Sequence, residues 1–206
     1  MNIFESRIYQ ISVMITNYFL LNMLWILFSL PLVTMFPATA AMFAVIRDWQ
    51  RGNDEGIFRA FFAHFKRNFL NAFLYQIAFS LFIIIFVLDF LLIDELGPFM
   101  AQLVFILLIS LGILVAFISM YIFPVMVHYD LKFFGMIKQS MLFSIMYFPS
   151  TLLSILIFVV MVFIVLFFPF TIPIIFSTTA CLIFKICNQK FKKVEALAKE
   201  MKEKHS

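Results

Sequence analysis

Four stretches of this 206-residue sequence, residues 8–46, 68–88, 96–129 and 139–184, contain no Asp, Glu, Lys or Arg. A helix needs about 20 mainly apolar residues to cross a hydrocarbon layer of roughly 30 Å. The second stretch has 21 residues, enough for one crossing, and the fourth has 46, enough for two, with Pro169 and Pro173 marking the break between them. A membrane β-barrel would instead show segments of about 10 residues with alternating hydrophobicity, and none is present. The expected fold is all-α: a polytopic transmembrane helical bundle with added interfacial amphipathic helices.

Composition excludes the other classes. The chain is 65% hydrophobic and 13% charged, about half the charge that covers a soluble domain. Disordered chains are apolar-poor and charge-rich, the opposite of this one. Two Cys allow at most one bridge, too few for a secreted disulfide scaffold. The apolar N-terminus is read as a span and not as a cleavable signal peptide, because Ile11 to Leu30 is already span-length. The formal charge of +4 is explained by basic residues beside spans, so no nucleic-acid partner is expected.

Along the chain, Ile11–Leu30 is the first span, ended by Pro31. Pro37 suits the first turn of a short Ala-rich helix reaching Trp49. Its small residues, Ala38, Ala40, Ala41 and Ala44, favour close helix packing in lipid. Asn53 or Asp54 is the expected N-cap of a following helix. That helix places Phe58, Phe61, Phe62 and Phe65 on one face, with Arg59, His64, Lys66 and Arg67 largely off it. An aromatic face opposite a basic one reads as a helix in the membrane interface, or as a docking surface for a partner. Further spans are expected at Phe69–Ile93, Phe99–Phe123 (ended or kinked by Pro124), Thr151–Phe168 and Ile174–Cys187, with His128–Phe148 as a second interfacial segment. Residues 1–187 thus form one transmembrane domain, and 188–206 a charged amphipathic tail. Phe191, Val194, Ala198 and Met201 make a narrow apolar stripe on that tail, and Glu195–Lys199 and Glu200–Lys204 are i,i+4 pairs.

Orientation follows the Lys and Arg. Residues 47–67 hold five, 128–138 hold two and 185–206 hold seven, whereas the turns at 94–98 and 169–173 hold none. The basic regions and the C-terminus are therefore expected in the cytoplasm. Six spans, counting Pro37–Trp49, put the N-terminus and Arg7 there too, with all 15 basic residues on one side. Five spans plus a re-entrant second helix is the alternative.

Motifs for chemistry are sparse. The three His (His64, His128, His205) fall in different segments, without the spacing of a metal site, and phosphate-cradling or nucleophile-elbow glycine patterns are missing. No cofactor, metal or catalysis is expected. Asp89 is the one acid inside an apolar run; it is read as a solvated carboxylate near a helix end, with an ion or proton role as the alternative. Asn22, Asn71, Gln76 and Gln102 are amides in or near spans, suited to hydrogen bonds between helices. Trp49 has the position of an interfacial anchor, whereas Trp25 lies deep in its span.

Residues 20–25 (Leu-Leu-Asn-Met-Leu-Trp) and 37–49 (Pro-Ala-Thr-Ala-Ala-Met-Phe-Ala-Val-Ile-Arg-Asp-Trp) resemble the signature of the YesL-like family of bacterial membrane proteins. Asn22, Trp25, Pro37, Ala38, Ala41, Arg47 and Trp49 carry the likeness, and Ile57–Phe62 and Phe65–Phe69 are similar to the family's aromatic–basic segment. The resemblance implies a multi-pass protein of the bacterial cell membrane. Genes of the family commonly sit beside those for polysaccharide uptake and breakdown. That implies an accessory, non-catalytic subunit of an ATP-driven (ABC-type) oligosaccharide importer, partnered by permease and ATPase subunits and indirectly by a solute-binding protein. Oligosaccharide would be met only through that complex. The expected partner interface is Ala40 and Ala44 with Phe58, Arg59, Phe61, Phe62, Phe65 and Lys66. A stand-alone transporter or channel, with Asp89, Gln76 and Asn71 along a path, is the competing expectation.

Overall fold

The computed structural model describes residues 3–53, 56–95, 97–129 and 131–204. Asp54 and His205, named above, lie outside these residues, as does the side chain of Arg7. Among the described residues seven α-helices follow one another: α1 (Ile3–Ser29), α2 (Met35–Gln50), α3 (Ile57–Leu92), α4 (Pro98–His128), α5 (Phe133–Met146), α6 (Phe148–Phe167) and α7 (Ile172–Lys204). Short 3-10 turns at Leu32–Thr34, Ile93–Glu95 and Pro169–Thr171 join some of them, and no strand occurs among the described residues. The chain is a helical membrane bundle.

Among the described residues five helices, α1, α3, α4, α6 and α7, are long and apolar enough to cross a membrane. The short second helix is present, and at 16 residues, about 24 Å, it falls below span length, in line with the five-span count. It is also the centre of the molecule. Pro37, Ala38 and every residue from Ala40 to Arg47 are buried, because α1, α3, α4 and α7 all pack on it. The alanines let these neighbours close in. Ala38, Ala40, Ala41 and Ala44 are each 0% exposed, so Ala40 and Ala44 are packed inside the chain rather than displayed to a partner.

Several boundaries differ from the sequence expectation for one reason: the helices run on through polar residues. α3 begins at Ile57 and continues unbroken to Leu92, so the aromatic–basic segment and the span after it are one helix. Its N-cap is Gly56 at φ 81°, a left-handed conformation that favours glycine, in place of Asn53. α4 passes through Pro124 to His128, and the expected second interfacial segment becomes the end of α4, the separate helix α5 and the start of α6. α7 continues across residue 187 to Lys204. Phe191 is 0% exposed in the core and its ring lies 4.8 Å from those of both His128 and Phe143. The first turns of the expected tail are therefore part of the bundle.

The buried face of α3 is also rotated from the expected one. Ile57, Ala60, Phe61, His64, Asn68, Ala72 and Tyr75 face inward, at helical spacings of three, four and seven. Phe58 and Phe62 are 55% and 43% exposed. Hydrophobicity alone chose four phenylalanines; the neighbours at α2 chose the stripe containing His64.

Candidate functional site

The densest polar cluster lies where α2, α3 and α4 meet. α2 ends with Arg47 and Asp48, adjacent in sequence and both turned to neighbouring helices. Arg47 Nε and Nη2 donate to Asp48 Oδ1 at 3.0 and 2.7 Å. Asp48 Oδ2 lies 2.5 Å from His64 Nε2 on α3. The other Arg47 nitrogen, Nη1, donates to the carbonyl of Val127 at the end of α4. The last four carbonyls of a helix have no partner within it, and a cation is favoured there by the helix dipole. Arg47 is thus the C-terminal cap of a helix 80 residues away in sequence. Burial raises the Asp48 carboxyl, but the hydrogen bonds and charges of Arg47 and His64 outweigh it and hold the group below the usual carboxylate range.

A second set of ties runs through α1 and α7. Trp25 Nε1 donates to Thr39 Oγ1 at 3.0 Å, and its ring stacks on Phe176 with centroids 4.5 Å apart. Asn22, 0% exposed, donates its amide to the carbonyl of Ile172 at the start of α7. Tyr18 donates to Cys181 Sγ at 2.9 Å and packs edge-on against Trp49 at 5.4 Å. On the other side of α2, Gln76 accepts from the Phe36 amide at 3.1 Å and donates to the Leu32 carbonyl at 2.5 Å. It thereby secures both sides of the turn leading into α2.

The basic end is closed by two further contacts. Asn188 Nδ2 donates to Gln50 Oε1 at 3.1 Å. His128 Nε2 lies 2.9 Å from Glu195 Oε1, so Glu195 takes its partner from α4, and among the described residues neither expected pair, Glu195–Lys199 or Glu200–Lys204, closes.

The expected site residues separate into distinct groups. Asn22, Trp25, Pro37, Ala38, Ala41, Arg47 and Trp49 all converge on α2 or its immediate contacts. Of the proposed interface, Ala40, Ala44 and Phe61 are 0% exposed, Phe65 is half-buried, and Phe58, Arg59, Phe62 and Lys66 are exposed. The path residues do not assemble. Gln76 holds a turn, Asn71 is half-buried on α3, and Asp89, exposed 13 residues beyond Gln76 on the same helix, is about 20 Å from it. Asp89 instead lines a groove between α3 and α4 with Leu92, Leu103, Val104, Leu107 and Leu108. Among the described residues no group of three or more His, Cys, Asp and Glu comes together as a metal site. Sequence reading missed Asp48 and His64 as a pair. The signal was the acid next to Arg47 at the end of an otherwise apolar helix, but nothing in the sequence located its partner.

The family match falls on this same region. Residues 18–90, which contain α2, Arg47, Asp48, His64 and Gln76, match the family described as "Protein of unknown function, DUF624". The chain is also similar to YesL. It is 35% identical over 116 residues to uncharacterized protein YesL of Bacillus subtilis (strain 168), a match covering 54% of each chain. Uncharacterized protein YteU of the same organism is 29% identical over 74% of this chain and 70% of its own. Uncharacterized protein YesV is 33% identical over 61% of this chain and 62% of its own. The chain thus spans about half of YesL and somewhat more of the other two. No solved structure matches it. What the region matched by the family builds here is the central helix and many of the polar ties around it.

Proposed function

We propose that this YesL-like protein is a non-catalytic accessory subunit of the bacterial cell membrane that packs against the permease helices of an ATP-driven oligosaccharide importer. The observation that carries the interaction role is where the polar groups of the YesL-like region are directed. Arg47, Asp48, His64, Gln76, Asn22 and Trp25 all bind one helix of the chain to another. The result is a braced body whose outer surface is a broad apolar belt on α3, α4 and α6. Such a belt serves lipid and partner helices alike. The importer as the partner rests on the company kept by YesL-like genes. In this reading the basic end, with Arg51, Arg59 and Lys66 exposed, faces the cytoplasm and the C-terminus lies on that side.

Mass spectrometry of the complex recovered from native membranes in mild detergent tests this. Permease and ATPase subunits in fixed stoichiometry are the expected result. A homo-oligomer free of such subunits in several detergents, together with substrate flux in liposomes holding this chain alone, would overturn it in favour of a self-sufficient carrier.

A further inference from the structure

The geometry points to the groove between α3 and α4 as the docking site for a transmembrane helix of a partner subunit that carries a lysine or arginine level with Asp89. This rests on the interaction role above and gives it a place and a chemistry.

Near Gly112 the two helices approach closely, and a Cβ added there would meet the Phe86 ring at 3.3 Å. One to two turns further out they part, leaving an open groove of about 510 Å³. Its walls are Leu92, Leu103, Val104, Leu107 and Leu108, and its one charged lining group is Asp89. The carboxylate has neither ion pair nor hydrogen bond among the described residues. It follows directly on the charge-free residues 68–88, so it lies at the outer edge of about 32 Å of apolar helix. An acid among apolar side chains at a membrane helix is costly unless paired. The surrounding surface is apolar as well: Leu88, Leu91, Leu92 and Leu107 are all more than half exposed.

The cation must come from another protein. This chain has no Lys or Arg between residues 68 and 131, and every basic residue of α3 lies in its first three turns, at the far end from Asp89. A second copy inserted in the same sense brings only further acids, Asp89, Asp94 and Glu95, to that level. A helix with one basic side chain supplies what is lacking: an apolar ridge for the leucines and a positive head for the carboxylate, with the Lys or Arg stem lying along the groove wall.

The probe is a synthetic Leu/Ala transmembrane peptide with one Lys placed level with Asp89, compared with the same peptide carrying Gln. Energy transfer between labelled peptide and the full purified chain is measured in phosphatidylcholine vesicles. The Lys peptide is expected to associate about tenfold more strongly, with the preference abolished in Asp89→Asn and retained in Asp89→Glu. Equal association of the two peptides, or an undiminished preference in Asp89→Asn, would overturn the proposal. The measurement needs no importer. If the Lys preference is missing while permease subunits still co-purify in full yield with the Asp89→Asn chain, the groove assignment falls and the importer reading stands.

Discussion

The Arg47 guanidinium, on the second helix, donates to the carbonyl of Val127 at the end of the fourth, while its other two nitrogens hold Asp48. One buried side chain thus terminates α4, anchors α2 and positions the carboxylate that reaches His64. Replacing Arg47 by Met leaves a buried carbonyl and a partly buried carboxylate without their donor. A loss of about 3 kcal/mol is expected, read as a lower thermal unfolding midpoint in detergent. Arg47→Lys recovers only part of it, since an ammonium cannot direct three nitrogens in a planar fork.

Asp48 makes the stability of the fold sensitive to acid. Burial alone would raise its pKa, but the donors Arg47 and His64 bring it below the ordinary carboxylate value. A group whose folded pKa is depressed contributes stability that is fully present above its unfolded pKa, about 4. That contribution is lost as the pH falls through the lower folded value. Unfolding midpoints measured from neutral pH downward should therefore fall at the acid end. In Asp48→Asn that part of the acid dependence disappears, and the midpoint is lower already at neutral pH.

Ala44 is 0% exposed on the central helix. Ala44→Leu forces extra carbons into a closed space and should cost about 1–3 kcal/mol or more, seen as loss of a monodisperse peak and a lower midpoint. Phe58→Ala, at a 55% exposed position, should leave the isolated chain nearly unchanged. Equal damage from the two would contradict the placement of α2 at the centre.

Gln76→Leu removes the acceptor for the Phe36 amide and the donor to the Leu32 carbonyl. The Phe36 amide is left unpaired beside an apolar core at a cost of about 1–3 kcal/mol, while the Leu32 carbonyl keeps the Met35 amide. The expected result is faster backbone hydrogen exchange confined to residues 32–37. A role for Gln76 in a conduction path would instead leave that exchange unchanged.

Phe191→Ala opens a cavity between α7, α4 and α5, where the ring meets His128 and Phe143. A loss of about 3–5 kcal/mol is expected, whereas Met201→Ala, 65% exposed further along the same helix, should be close to neutral. Thermal midpoints of the two variants check whether the bundle ends at residue 187 or runs past it.

The sequence by itself determined the class of the molecule and the placement of most of its helices. Charge-free runs of span length leave a chain no solvent but lipid, and backbone groups in lipid must be satisfied within a helix. Pro31 and Pro169 marked breaks because proline cannot continue the ladder, and residues 20–49 carried the YesL-like signature. The tertiary structure alone decided which residues are central. Helices α3 and α7 run through polar residues because a partner waits for them: His64 meets Asp48, Asn188 meets Gln50 and Glu195 meets His128. Periodicity shows which residues share a helix face, but not which neighbouring helix that face will meet. For that reason the alanines of α2, suited to any close helix contact, proved to serve contacts within the chain. The same reason hid the tie from Arg47 to Val127, formed across 80 residues only once the helices had packed.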